Sequence, residues 1–189
     1  MPTLMNRDDA TSDDDSSGGE PSEPPQPVPA SEAVPVDVID RTRQLRADEC
    51  AFIQDGLIRL LGELQAACDR CVIEVVDDRR MSLLHGRWMN DPTPTDVLTF
   101  PMSAPDQPID VDIAICLPEA ERRSQELGHD RLRELLLYGL HGILHALGHD
   151  DHEPADYVRM HAEEDRLLEK IGLGGVFDSE TPHQEGPRS

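Results

Sequence analysis

The sequence has few aromatic residues and few basic ones, and it contains no long apolar run. Aromatic side chains make up 3% of the 189 residues, and 17 lysines and arginines face 39 aspartates and glutamates, for a formal net charge of −22. No apolar stretch approaches the ~18 residues of a membrane-spanning helix, so we expect no membrane span. A strongly acidic chain repels phosphates overall, so any nucleic-acid substrate needs a locally basic groove.

Cysteine is also scarce. Four cysteines, at positions 50, 68, 71 and 116, are not a disulfide framework for a chain of this size. Cys68 and Cys71 form a C-x-x-C pair, but neither a Gly-Pro-like centre nor a second pair accompanies it. We therefore predict structural cysteines in a reducing cytoplasm, and the first residues show no basic-then-apolar pattern of a secretory signal.

Composition divides the chain into one domain between two polar tails. The first 40 residues hold ten acidic residues, one arginine and seven prolines. Such a segment buries too little apolar surface to offset the entropy of ordering it. We predict a disordered, acidic, proline-rich tail over residues 1–33, a folded domain over 34–173 and a disordered C-terminal tail over 174–189.

Apolar periodicity predicts nine elements in the order β-α-β-α-β-β-α-α-α. Strands are predicted at 34–38, 71–76, 96–101 and 111–116, and helices at about 46–67, 79–89, 118–127, 130–147 and 154–170. Residues predicted to face inward from the first helix are Ala51, Phe52, Leu57, Leu60, Leu61 and Leu64, and from the last helix Val158, Ala162, Leu167 and Leu168. This order is typical of an α+β domain with a small four-stranded sheet covered by helices.

The helix predicted at 130–147 carries the most informative pattern. It is apolar around most of its circumference, which indicates a central, buried helix. His141 and His145 lie four residues apart on it, so both imidazoles leave the same face one turn apart. Two buried imidazoles are costly unless their nitrogens are used. The spacing therefore predicts a pair of metal ligands on a buried helix.

The residues after this helix offer a third ligand. Gly148 ends the helix and lets the chain turn back, which brings the segment HDDH at 149–152 toward the two histidines. Two helix ligands and one from the turn would give a zincin-like zinc site with an open fourth position. Asp151 or His152 could complete it. Asp150 is expected to orient a ligand histidine, and His149 and His161 are expected on exposed surfaces.

The residue after His141 weakens one functional interpretation. Metallopeptidases with the motif H-E-x-x-H use the glutamate as general base, and this chain has Gly142 there. A metal-bound water can still ionise near neutrality without a base. The pattern therefore favours metal-assisted hydrolysis over peptide hydrolysis.

Three segments resemble landmarks of the YbeY family of bacterial endoribonucleases. HGILHALGHDDH at 141–152 resembles H-G-x-L-H-x-x-G-[YFH]-D-H, TDVLTFP at 95–101 resembles T-D-V-L-S-F-P, and DIAICLPEA at 112–120 resembles the family's G-D-I-x-I strand and following helix. The landmarks occur in the family's order over roughly residues 34–173. The resemblance implies an α+β fold with a small mixed sheet against helices.

The resemblance also implies a function. It points to a zinc-dependent, single-strand-specific endoribonuclease of the cytoplasm that matures the 3′ end of 16S rRNA and serves ribosome quality control. One Zn²⁺ per chain, single-stranded rRNA and the small ribosomal subunit would be its cofactor and partners, with no role for DNA or a membrane. Aligned without a gap, the family's last ligand histidine falls on Asp151, which favours Asp151 over His152. A non-catalytic assembly factor with a structural zinc remains an alternative.

One segment departs from the family pattern. The family often has L-N-x-x-Y-R, with an arginine thought to contact substrate phosphate, and LHGRWM at 84–89 places Trp88 and Met89 at the last two positions. Arg87 lies two residues earlier and could still clamp a phosphate with its planar fork. Trp88 is predicted either to pack in the core or to offer a surface for base stacking.

Overall fold

The computed structural model describes residues 36–174, and the two predicted tails, apart from Gly174, lie outside the described residues. The elements are β1 (Val36–Asp40), α1 (Ala47–Leu64), β2 (Cys68–Val76), α2 (Asp78–Met89), β3 (Val97–Pro101), β4 (Ile109–Cys116), α3 (Leu117–Leu127), α4 (Arg131–Ala146) and α5 (Pro154–Lys170). Their order is the predicted one. Where the first strand was expected at 34–38, β1 extends to Asp40, and residues 34 and 35 are not described.

The four strands form one mixed sheet in the order β1-β2-β4-β3. The pairs β1–β2 and β2–β4 are parallel, and β3 runs antiparallel to β4 at the edge. Parallel neighbours need a crossover, and α1 provides it between β1 and β2. The predicted α+β class with a mixed four-stranded sheet is confirmed, and within residues 36–174 five helices accompany it.

The two faces of the sheet bury different amounts of apolar surface. Val111, Ile113 and Ile115 of β4 point to the face covered by α1 and α4, and they belong to the main core. Ala114 and Cys116 point to the opposite face, where only a small cluster around Met81 of α2 packs on them. Part of the α2 face therefore remains open. In the described part of the chain, none of the helices has the length and apolarity to cross a bilayer.

Four residues predicted to face inward, two in α1 and two in α5, are exposed. In α1 the buried stripe consists of Ile53, Leu57, Leu60 and Leu61. Ala51 and Phe52 lie outside this stripe and are exposed, because Phe52 is about 100° around the helix from Ile53. In α5, Val158 is 65% exposed and Ala162 is exposed. The inward stripe of α5 instead includes Met160 and Glu164, together with Leu167 and Leu168.

Helix α4 lies unusually close to the sheet at Gly142. A Cβ atom at this position would lie 2.8 Å from Ile113 side-chain carbons and 2.9 Å from Thr99 Oγ1. Real Cβ contacts are longer, so a larger residue here would force Ile113, Thr99 or the helix to shift. Gly142 therefore fixes how deep α4, with His141 and His145, is set against β3 and β4.

Candidate metal centre

The end of α4 positions one histidine through the backbone. Gly148 has a φ of +90°, which a glycine adopts at little cost. The amide of His149 donates to the carbonyl of Leu144 at 3.0 Å, the long bond of a Schellman motif. The turn brings the His149 carbonyl within 3.0 Å of His145 Nδ1. The helix stop that the sequence predicted thus also orients a ring.

The structure brings three of the predicted site residues together, and we call them the inner group: His141, His145 and Asp151. The two Nε2 atoms lie 3.0 Å apart. Asp151 Oδ2 lies 3.6 Å from His141 Nε2, and Oδ1 lies 3.8 Å from His145 Nε2. Zinc binds imidazole nitrogen and carboxylate oxygen at about 2.0–2.2 Å, and these separations fit one such ion between the three donors.

The Nδ1 atoms of His141 and His145, which point away from the inner group, are hydrogen-bonded to acceptors. His141 Nδ1 lies 2.7 Å from Glu164 Oε1, and His145 Nδ1 faces the His149 carbonyl. Neither an ionised carboxylate nor a carbonyl donates, so each Nδ1 carries a hydrogen. The two Nε2 lone pairs then face each other, and a shared proton or a metal cation between them removes the repulsion. This is the outer-shell arrangement that metal-binding histidines usually have.

Glu164 is the central supporting residue and is 0% exposed. Its Oε1 accepts a hydrogen bond from His141 Nδ1, and its Oε2 lies 2.6 Å from His161 Nδ1. Burial alone would raise the pKa of Glu164, but the hydrogen bonds from both histidines outweigh it and hold the pKa below its ordinary value. Burial would lower the pKa of His141, and its bond to Glu164 reverses this and raises it. The two side chains are therefore joined by a buried, charge-assisted hydrogen bond from His141 Nδ1–H to Glu164 Oε1.

The sequence-based expectations missed this support. His161 was expected on an exposed surface, but its side chain is largely buried. Its ring is stacked on that of His141, with centroids 6.4 Å apart, and meets that of Tyr157 edge-to-face, with centroids 4.0 Å apart. A signal existed for Glu164. It follows Met160 by four residues and precedes Leu168 by four, which places a carboxylate inside the apolar stripe of α5.

A second set of metal-capable side chains lies next to the inner group, and we call it the outer group: Asp150, Asp151 and His152. The side chain of His152 is 82% exposed, and its Nδ1 is in contact with Asp150 Oδ1. Asp150 also accepts from the Asp151 amide at 2.8 Å. Asp150 was expected to orient a ligand histidine, but its partner is the exposed His152. The structure brings Asp151, not His152, beside both Nε2 atoms.

Arg87 and Trp88 lie elsewhere, in an open groove of about 780 Å³ on the α2 face of the sheet. We call it the sheet groove. Trp88 is 58% exposed, so the prediction that it packs in the core is wrong. Its ring centroid lies 5.8 Å from that of Phe100, and the Arg87 guanidinium carbon lies 5.3 Å from the Trp88 ring. Met102 adds exposed apolar surface to the same groove.

A smaller cavity of about 420 Å³ adjoins the inner group, and we call it the acidic cavity. His141 and Asp151 form part of its wall. Its remaining polar and aromatic lining is Asp96, Glu119, Arg123, Glu126, Glu134, Tyr138, Tyr157, His161 and Glu164. The inner group therefore faces a space in which carboxylates outnumber cations.

All four cysteines are free thiols, as the sequence predicted. Cys71 points into the core from β2, and burial raises the pKa of its thiol to about 12. A thiol with such a pKa is inert at neutral pH. The C-x-x-C pair is therefore structural.

Comparison with known proteins identifies the family. Residues 41–172 match the family model described as Endoribonuclease YbeY. The chain is 41% identical over 103 residues to endoribonuclease YbeY of Thermobifida fusca, an alignment that covers 50% of this chain and 66% of the relative. It is 34% identical over 131 residues to endoribonuclease YbeY of Micrococcus luteus, an alignment that covers 62% of this chain and 83% of the relative. It is 39% identical over 114 residues to endoribonuclease YbeY of Mycobacterium tuberculosis H37Rv, with 54% of this chain and 64% of the relative covered.

A solved structure supports the fold. The solution structure of TM1509 from Thermotoga maritima superposes with a TM-score of 0.52 at 19% identity, and the match covers 81% of this chain and 99% of that one. At this identity the likeness concerns the fold alone. Together with the family match over most of the described residues, these findings show that the chain belongs to the YbeY family.

Proposed function

We propose that this protein is a zinc-dependent endoribonuclease that cleaves single-stranded RNA, with one Zn²⁺ held by His141, His145 and Asp151. The observation that carries the proposal is the pair of Nε2 atoms 3.0 Å apart, each on a ring whose Nδ1 is fixed by an acceptor. Such a pair, with a carboxylate within 4 Å, is a donor set that zinc prefers.

The chain's own residues prepare this donor set. Glu164 keeps the hydrogen of His141 on Nδ1, and the His149 carbonyl does the same for His145, so both Nε2 atoms remain donors. Asp151 adds a negative charge where the family more often has a neutral histidine. When bound, zinc would supply Lewis acidity toward a phosphate oxygen or a water. Asp151 would make that acidity weaker than a third histidine would.

The proposed substrate is single-stranded rRNA, at the 3′ end of 16S rRNA in the small ribosomal subunit. The relatives named above are endoribonucleases, which supports an RNA substrate. Trp88 and Phe100 in the sheet groove offer ring faces for unstacked bases, and Arg87 offers a guanidinium for a phosphate. Unpaired bases are available only in single strands. Four free thiols suit a reducing cytoplasm as the place of this work.

The two alternatives have less support. A metallopeptidase of the H-E-x-x-H type needs a glutamate at position 142, where α4 meets the sheet and a Cβ atom would already lie 2.8–2.9 Å from Ile113 and Thr99. A structural zinc would need a closed set of four ligands, and His152, the alternative ligand that the sequence offered, is largely exposed and in contact with Asp150.

The decisive experiment measures zinc content and RNA cleavage on the same chelator-free preparations. We expect one zinc per chain and cleavage of single-stranded but not duplex RNA, and we expect Asp151→Ala to lose both. His152→Ala is the matched control and should retain both. A wild-type protein that holds one zinc and cuts no RNA would refute the enzyme and leave the structural-zinc alternative.

A further inference from the structure

The acidic cavity beside the inner group has no role in the function proposed so far. Its volume of about 420 Å³ lies within the range of small-molecule pockets, roughly 300–1,000 Å³. Asp96 at the start of β3 and Glu134 on α4 contribute carboxylates from two elements, and Glu119 and Glu126 add two from α3. Because His141 and Asp151 share its wall, an occupant of this cavity would lie next to whatever reacts at the inner group.

One carboxylate in the cavity has an unused acceptor. Glu134 is 1% exposed, and within residues 36–174 no group donates a hydrogen bond to its Oε1. His129 Nε2 lies 2.9 Å from this oxygen, within ion-pair distance, but no hydrogen bond joins the two atoms. A buried acceptor without a donor costs about 1–3 kcal/mol, so Glu134 Oε1 is a position where a ligand donor is favoured.

Charge excludes a phosphate as the occupant. Among the described residues that line the cavity, Arg123 is the single guanidinium, and its Nη1 lies 3.4 Å from Glu126 Oε2. A phosphate would meet several carboxylates at close range. The occupant is therefore a neutral or cationic group that carries hydrogen-bond donors.

Geometry disfavours a second metal ion. Within residues 36–174, the groups of three ligand atoms that lie within 4.8 Å of one another are the inner and outer groups, and neither includes Asp96, Glu119, Glu126 or Glu134. Their oxygens are spread around a space instead of converging on a point. Spread acceptors suit an organic molecule with several donors.

An aromatic ring completes the cavity. Tyr157 is about half exposed and is held edge-to-face by His161, with ring centroids 4.0 Å apart. Aromatic side chains in this state stack on unpaired bases, whose edges are then read by hydrogen bonds. Guanine presents two neighbouring donors, N1–H and the N2 amine, to a carboxylate, whereas uracil presents only one.

We propose that the acidic cavity is a base-recognition subsite that takes a guanine adjoining the scissile linkage, with Asp96 and Glu134 accepting from its Watson–Crick edge and Tyr157 against its face. The inference rests on the proposed function, because the inner group must bind the phosphate next to this base. The carboxylates of the cavity would accept hydrogen bonds from the edge of the base and would repel the neighbouring phosphate, which would then stay beside the inner group.

The test compares short single-stranded RNAs that differ at one base beside the cut. Guanosine, inosine and 7-deazaguanosine would be placed there, because inosine lacks only the N2 amine and 7-deazaguanosine keeps the Watson–Crick edge. We expect kcat/KM to fall about tenfold for inosine and to stay within about twofold for 7-deazaguanosine. In Glu134→Gln and Asp96→Asn the guanosine-to-inosine ratio should approach one.

Controls separate the subsite from the fold and from the enzyme. Glu169→Gln, which removes an exposed charge of α5, should leave the ratio unchanged. Anisotropy of labelled 2′-O-methyl versions of the same RNAs gives the ratio in binding, whether or not cleavage occurs. Equal binding and equal cleavage of guanosine and inosine RNAs by the wild type would overturn the subsite. Loss of all cleavage alone, with preferential guanosine binding, would overturn the nuclease and not the subsite.

Discussion

The inner and outer groups share Asp151 and lie within a few residues of each other, but they differ in what surrounds them. The rings of His141 and His145 are partly buried, and each has its Nδ1 fixed by an acceptor, which is Glu164 of α5 for His141 and the backbone carbonyl of His149 for His145. His152 is exposed, and its partner Asp150 is a near neighbour in the same turn. Both groups therefore have side chains that can bind a metal, at distances that suit one. Of the two, the inner group is the one whose imidazoles have Nδ1 bonded to an acceptor and Nε2 turned toward the other donors.

The largest expected effect comes from removing an inner ligand. His145→Ala should weaken zinc binding by more than about 100-fold, beyond what the loss of a supporting hydrogen bond costs. His152→Ala should change it less than about twofold. Competition with a fluorescent zinc chelator measures both. Equal losses in the two variants would erase the distinction between the groups.

The next effect tests the support of the inner group. Glu164→Gln keeps the shape of the side chain but removes the charge that His141 and His161 share, and we expect zinc affinity to fall by about 10–100-fold. Glu163→Gln is the matched control, because Glu163 pairs with Arg166 on the outer side of α5. If both variants bind zinc with the affinity of the wild type, the buried carboxylate of Glu164 does not strengthen zinc binding through His141.

A smaller effect concerns the helix that carries the inner histidines. Gly142→Ala should lower the free energy of unfolding by about 1–2 kcal/mol, because overpacking against Ile113 and Thr99 exceeds the ~1 kcal/mol that alanine gains in a helix. Gly62→Ala in α1 meets no atom within 4 Å and should raise that free energy by about 0.5–1 kcal/mol. Urea denaturation of the zinc-free proteins compares them. Stabilisation by both substitutions would mean that α4 does not lie as close to the sheet.

The smallest effect is a titration shift in the outer group. The hydrogen bond and charge of Asp150 raise the pKa of His152 above its ordinary value. A raised pKa means that any stabilisation from this contact is present at low pH and lost as the pH rises through that value, and the exposure of His152 makes it too small to detect in unfolding. NMR should show this pKa decreasing in Asp150→Asn.

The same NMR experiment contrasts the groups once zinc is added. His152 should continue to titrate, because the proposed site does not include it, whereas His141 should cease to titrate over the range in which zinc stays bound. A His152 resonance that stops titrating with zinc would move it into the metal site.

The sequence predicted best the helices whose ends are marked by a glycine, a proline or a capping side chain. Gly128 ends α3 with a positive φ, Asp130 caps α4 through the Leu132 amide, and Pro154 opens α5. Glycine, proline and capping side chains act locally, so their effect can be predicted without the fold. The placement of His141 and His145 side by side was predictable for the same reason, since their spacing on one helix is a local property.

The residues that were missed depend on contacts between distant segments. Glu164 meets His141 only because α5 packs beside α4, and no short pattern joins residues 23 apart in sequence. Trp88 was predicted either to pack in the core or to offer a stacking surface, and the sequence could not decide between them. Helix α2 covers only one end of its sheet face, so the ring stays at the rim of the sheet groove. Which face a second layer covers is a property of the whole fold.

The close approach of α4 to the sheet at Gly142 also limits how this scaffold can be redesigned or can diverge. Converting the motif at 141–145 to H-E-x-x-H needs one substitution in sequence, but in space the new side chain would start between Ile113 and Thr99. Compensating changes in β3 and β4 would have to come first and make room for the helix to lift. A path from this centre to a glutamate-assisted peptidase therefore runs through the sheet, and single-step mutational libraries confined to the histidine motif should not find it.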